Sequence, residues 1–207
     1  IPLIGNDLMW GLGTSMVGVV VGRMGAIFVA ANSIYTVLNQ FVSVMIFGVG
    51  NAALTIVGNT IGSGDYELAK QRSVTLLMLS LGLGLFSAGV TLLLGPMVVS
   101  MYNLSPETVE IALAITRLGA LIVFFQSIAL IGMVGVLRAG GDAKFVLLCE
   151  VVFLWFVAVP AGFYTGLVLG WPAAPVFLLL KCDEILKSLI TMVRIVRFRW
   201  LRDVTGR

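Results

Sequence analysis

The 207-residue chain is 59% hydrophobic and only 11% charged, with a net charge of +3 and a mean hydropathy of +1.09. Soluble domains carry about 25% charged and about 45–50% apolar residues, so the composition excludes a water-soluble globule and predicts an all-α, polytopic membrane protein. Histidine is absent, which excludes His metal centres, Ser-His and Cys-His nucleophile pairs and imidazole proton shuttles. No catalytic residue, metal ligand or cofactor is expected. Cys149 and Cys182 each stand alone in an apolar run and read as small buried hydrophobes. The chain opens at Ile1 without a methionine or a signal-peptide pattern, as expected of a piece of a longer protein.

A bilayer core requires roughly 20 apolar residues per helix. Six segments qualify, and they predict helices over 3–21, 27–61, 73–102, 109–137, 145–169 and 173–199, forming one membrane lobe across 1–207 with a basic tail at 200–207. On the first helix, at about 100° per residue, Asp7, Gly11, Thr14, Gly18 and Gly22 share an arc of about 80°. On the second, Asn32, Thr36, Asn39 and Ser43 share an arc of roughly 60°, which Gly50 continues. Polar residues inside a membrane usually face a bundle interior or an aqueous cavity, so these stripes are candidate cavity walls; packing of the two faces on each other is the alternative. Asp7 is the outstanding side chain. A carboxyl there can bind and release a proton, or hold a sodium ion together with the oxygen of Asn6. The alternative is a carboxylate wetted at the helix end.

Further along, Pro96 and Pro160 are expected to bend the third and fifth helices. Gly18-x-x-x-Gly22, Gly58-x-x-x-Gly62 and Gly162-x-x-x-Gly166-x-x-x-Gly170 predict close helix contacts. Arg117 and Glu150 are expected to reach an interface by snorkelling, and Gln126 is a candidate lining residue. In the last helix, Lys181 with Glu184 and Asp183 with Lys187 have the spacing of helix neighbours, a set that is neutral in sum.

Basic residues cluster after the second helix (Lys70, Arg72), after the fourth (Arg138, Lys144) and towards the end (Arg194, Arg197, Arg199, Arg202, Arg207), whereas the loops after the third and fifth helices contain none. Positive residues mark the cytoplasmic side, which predicts that both ends of this segment are cytoplasmic, with Arg23 the exception. Tyr102 and Trp171 are then expected at the outer interface and Trp200 at the inner one. Two cytoplasmic turns look alike: Gly62-Ser63-Gly64-Asp65 and Ala139-Gly140-Gly141-Asp142. The first also spells the GxGD string of intramembrane aspartyl proteases. That chemistry needs two facing aspartates sharing a proton, and neither a Tyr-Asp pair in a span nor a Pro-Ala-Leu tripeptide accompanies the string, so the protease is a minor alternative.

Taken in order, these motifs resemble the carboxy-terminal half of a multidrug and toxic compound extrusion (MATE) family transporter. The opening Ile-Pro-Leu-Ile-Gly-Asn-Asp-Leu-Met-Trp-Gly-Leu-Gly is similar to the start of that family's seventh helix. Arg23-Met24-Gly25 with Val29-Ala30-Ala31-Asn32-Ser33-Ile34 is similar to the beginning of its eighth, the two Gly-Asp turns resemble its cytoplasmic turns, and Trp200 resembles its terminus. The resemblance implies a two-lobed secondary antiporter of the bacterial-type cytoplasmic (inner) membrane. It would export cationic or amphipathic compounds in exchange for sodium or protons, with an amino-terminal six-helix lobe as the partner outside this segment. It further implies a cation-coupling role for Asp7, and Asn6, Trp10, Thr14, Asn32, Thr36, Asn39, Ser43 and Gln126 are the candidate lining of the substrate cavity. A second acid that some members carry on the tenth helix falls at Ser127 here. A lipid-linked precursor flippase of the same superfamily is the runner-up, and a non-transporting membrane scaffold the third class.

Overall fold

The computed structural model describes residues 2–198 and 200–201; Arg199 and the tail residues 202–207 lie outside the described residues. The chain is built from long helices: α1 (Pro2–Arg23), α2 (Ala26–Gly62), α3 (Tyr66–Ser100), α4 (Pro106–Leu137), α5 (Ala143–Val168), α6 (Ala173–Leu180) and α7 (Cys182–Val196). The first five are each long and apolar enough to cross a membrane. Two buried apolar clusters hold the lobe together. One lies towards the end that carries the Gly-Asp turns, and includes Ile61, Ala69, Leu137, Val146 and Ile195. The other lies towards the opposite end, and includes Val20, Phe28, Val99, Ala112 and Phe177. Large apolar side chains such as Phe41, Leu93 and Phe156 stay exposed, as suits a surface whose solvent is lipid.

Several boundaries differ from expectation, each for a local reason. Helix α3 begins at Tyr66 and not at residue 73, because the Asp65 carboxylate accepts the Leu68 amide at 3.0 Å and caps the helix ahead of its apolar stretch. Lys70 and Arg72 therefore sit on helix and not in a loop, where they bond Glu67 and Thr60. Helix α4 starts at Pro106 behind a Ser105 cap. The last expected helix is divided at Lys181, whose φ and ψ are −116° and 5°. Wide π-helical turns occupy Ile131–Leu137 in α4 and Val151–Ala158 and Tyr164–Val168 in α5. Pro160 has no N–H and its ring crowds the preceding turn; it lies in the short α-helical piece Val159–Phe163 between two widened stretches, which accommodate it without ending the helix. The two Gly-Asp turns do share a backbone, with Gly64 at φ 83° and Gly141 at φ 82°, a left-handed conformation that suits glycine.

The glycine motifs divide. Nothing lies within 4 Å of a Cβ built at Gly18, Gly22, Gly58 or Gly62, so these make no close contact within the lobe, whereas Gly162 packs on Leu180 and Gly166 on Met24 and Val176. Glycines outside these motifs also make close approaches, some of them to stiff parts of a neighbouring helix. A Cβ at Gly135 would stand 2.7 Å from the Ala53 Cβ, and one at Gly84 would stand 2.9 Å from the Phe124 carbonyl oxygen. Trp200 also departs from expectation. It is fully buried within the lobe and not on its surface, because its indole fills the space that Gly140 leaves open by lacking a side chain.

Candidate functional site: a charged cavity between the helices

Five helices surround a cavity of about 470 Å³. From α1 come Asn6, Asp7, Trp10 and Gly11; from α2, Phe47 and Asn51; from α4, Gln126, Ala129, Leu130, Met133, Val134 and Arg138; from α5, Val146 and Glu150; from α7, Glu184 and Lys187. Helix α1 is pinned to this wall at two points. The Trp155 Nε1 of α5 donates to the Met9 carbonyl at 3.2 Å, and the Arg138 Nη2 of α4 donates to Asp7 Oδ1 at 3.3 Å. The Asp7 side chain is 69% exposed and that of Arg138 17%, so the pair stands at the wetted edge of the cavity.

The inner wall is charged and dry. Lys187 Nζ lies 2.7 Å from Asp183 Oδ2, 3.2 Å from Glu150 Oε1 and 3.6 Å from Glu184 Oε1. Glu150 is therefore not a snorkelling side chain. It is buried, and it turns inward because an ammonium 37 residues along the chain offers a partner. Glu184 forms its ion pair with Lys187, while Lys181, at the break before α7, accepts the Glu184 amide through its carbonyl at 3.2 Å. Two amide oxygens, Asn6 Oδ1 and Gln126 Oε1, are buried on this cavity with no hydrogen-bond partner among the described residues.

Of the residues expected to couple or to line a cavity, Asn6, Asp7, Trp10 and Gln126 stand on this wall. Thr14 lies outside it and donates its hydroxyl to the Trp10 carbonyl at 2.5 Å. On α2, Asn32 is half-buried, Thr36 is exposed and bonded to the Asn32 carbonyl at 2.8 Å, and Asn39 Oδ1 and Ser43 Oγ are buried without a partner among the described residues. None of these four lines the cavity. Ser127 is buried and bonds the Ser80 carbonyl at 2.9 Å, which joins α4 to α3. Sequence reasoning did not single out Asn51, a polar residue in an apolar run, or the lining by Arg138, Glu150, Glu184 and Lys187. For these four, membrane charge was the only signal. The two turn aspartates have separate structural tasks: Asp65 caps α3, while the buried Asp142 is ion-paired with Arg194, whose guanidinium lies 3.8 Å from the Phe145 ring centroid.

An all-helical lobe with membrane-length helices around a charged internal cavity defines a polytopic membrane protein. The chain belongs to the MatE family, whose model matches residues 2–164. It is 23% identical over 192 residues to the uncharacterized transporter YisQ of Bacillus subtilis, covering 92% of this chain and 42% of that protein. It is 26% identical over 153 residues to the multidrug resistance protein MdtK of Yersinia pseudotuberculosis, covering 74% and 33%. Its fold matches a MOP superfamily transporter from Pyrococcus furiosus with a TM-score of 0.86 at 21% identity, covering 99% of this chain and 45% of that one. The chain thus spans less than half the length of these relatives.

Proposed function

We propose that this chain is the carboxy-terminal lobe of a secondary antiporter that exports cationic or amphipathic drugs and toxic compounds in exchange for sodium or protons. In this reading an amino-terminal six-helix lobe completes the transporter in a bacterial-type inner membrane, with both ends of the present segment cytoplasmic. Alternating access comes from rocking one lobe against the other. The observation that carries the reading is the cavity wall itself. Trp10, Phe47 and Met133 offer apolar and aromatic surface, while Asp7, Glu150 and Glu184 outnumber Arg138 and Lys187. Such a wall suits an amphipathic cation, and it suits a lipid-linked diphosphate poorly. The multidrug resistance name of one relative is in keeping with this cargo.

Asp7 takes the coupling role. Ionised, it holds Arg138; binding a proton or sodium ion releases that partner and loosens the tie between α1 and α4. The exposed Thr14 and Thr36, with the half-buried Asn32, then belong to the cavity surface of the complete two-lobed protein, whereas the Asn39 and Ser43 side-chain oxygens are buried within this lobe. The test is ion-coupled dye efflux by the full-length protein carrying Asp7→Asn. Efflux is expected to lose its dependence on pH or sodium; unchanged efflux across pH would remove the coupling role from Asp7.

A further inference from the structure

Lys187 is surrounded by more negative charge than it can balance. Asp183, Glu150 and Glu184 lie within 3.6 Å of its ammonium, and one further cation, Lys181, acts electrostatically on Glu184. Among the described residues, three carboxylates thus face two ammonium groups, leaving one negative charge in excess. The other groups facing the cluster do not supply the missing positive charge. Asp7 and Arg138 form a pair that is neutral in sum across the cavity, Tyr35 of α2 faces Glu184, and Cys149 adjoins Glu150. Arg194, further along α7, is engaged by Asp142.

The place makes the imbalance costly. Lys187 lies nine residues before the end of α7 at Val196, roughly 14 Å along the helix at 1.5 Å per residue, and its side chain is 4% exposed. An uncompensated charge in such a medium is strongly disfavoured and is relieved by taking up a positive one. A second, independent feature points the same way. Asn6 is 5% exposed and lines the same cavity, and its Oδ1 is buried without a partner among the described residues, so a buried acceptor stands ready for a donor. Carboxyls already held on an ammonium can take up a proton without the coordination shell that a metal ion needs.

We infer that the cluster of Glu150, Asp183, Glu184 and Lys187 is a proton-binding site, in which Glu150 and Glu184, the two carboxyls open to the cavity, share one proton. This site is separate from Asp7. It rests on the transporter reading only for the use made of the proton, since the occupancy itself follows from the charge imbalance.

The experiment is infrared difference spectroscopy of the purified full-length protein in lipid, with sodium-free buffer, as pH is raised from neutral. A carboxylic acid band is expected at neutral pH and is lost as the pH rises. Either Glu150→Gln or Glu184→Gln leaves two carboxylates facing two ammonium groups, so each variant is expected to lose the band, while Glu110→Gln on the exposed start of α4 retains it. A wild-type spectrum with no such band overturns the inference, as does a band that survives both substitutions. The wild-type protein supplies a check that needs no variant: its thermal midpoint is expected to fall as the proton leaves. A midpoint that ignores pH and rises only with added sodium chloride, compared with choline chloride, overturns the proton assignment. Because these readouts need no transport, failure of the proton site and failure of the antiporter reading are separable.

Discussion

Arg138 and Asp7 are 131 residues apart in the chain, yet their side chains meet at 3.3 Å, and they join the first helix of the lobe to the end of the fourth at the edge of the cavity. With Asp7 so exposed, the pair contributes about 0–1 kcal/mol to stability. Asp7→Asn and Arg138→Gln are accordingly expected to move the thermal midpoint by less than about 4 °C, while efflux changes its ion dependence. Thermal unfolding in detergent alongside dye efflux separates the two effects; a large loss of stability in either variant would make the pair a scaffold element.

Lys187 should behave in the opposite way. Lys187→Met leaves Glu150 and Asp183 buried without their close cation, a change expected to cost about 3–5 kcal/mol. Replacing all four charged members with Met, Gln, Asn and Gln removes the imbalance together with the pairs, so that variant is expected to recover most of the loss. Fluorescence-detected thermal unfolding of the full-length protein compares the two.

At the other charged centre, the buried Asp142 is bonded by Arg194, which also stacks 3.8 Å from the Phe145 ring centroid. A guanidinium can bond a carboxylate and stack on a ring at once, whereas an ammonium lacks the planar fork. Arg194→Gln is expected to cost about 3 kcal/mol, and Arg194→Lys to recover only part of it. The readout is again the thermal midpoint, and full recovery by lysine would argue that charge alone matters there.

Close packing between α2 and α4 gives a further test. A Cβ at Gly135 would stand 2.7 Å from the Ala53 Cβ and 3.0 Å from the Gly50 carbonyl oxygen, both parts of a stiff neighbouring helix. Gly135→Ala is expected to destabilise by about 1–3 kcal/mol through overpacking. Gly82→Ala in α3, where nothing lies within 4 Å, is expected to be neutral or slightly stabilising, by up to about 1 kcal/mol. Equal midpoints for the two variants would contradict this packing.

The order of the first five long apolar segments and the glycine-aspartate turns could be read from the chain, because hydropathy and turn chemistry are local properties, whereas the sixth expected segment is divided at Lys181. Asn6, Asp7, Trp10 and Gln126 were legible as candidates for the same reason: a polar or amphipathic side chain in an apolar run is conspicuous. The start of α3 was misjudged because Asp65 caps a helix that continues beyond the apolar stretch into polar residues. Hydropathy alone does not report such an extension.

By itself, then, the sequence determined an all-helical membrane protein with a few isolated charges, since every long segment is too apolar for water and must satisfy its backbone within itself. Only the tertiary structure decided which charges meet. Periodicity says which face of a helix carries a side chain, not which neighbour stands opposite. Here the facing was reset by the break at Lys181 and by the widened turns in α4 and α5, each of which shifts the phase of the residues that follow it. The fold brings Glu150 of α5 and Glu184 and Lys187 of α7 onto one wall, so that charges far apart in the chain meet around a single ammonium.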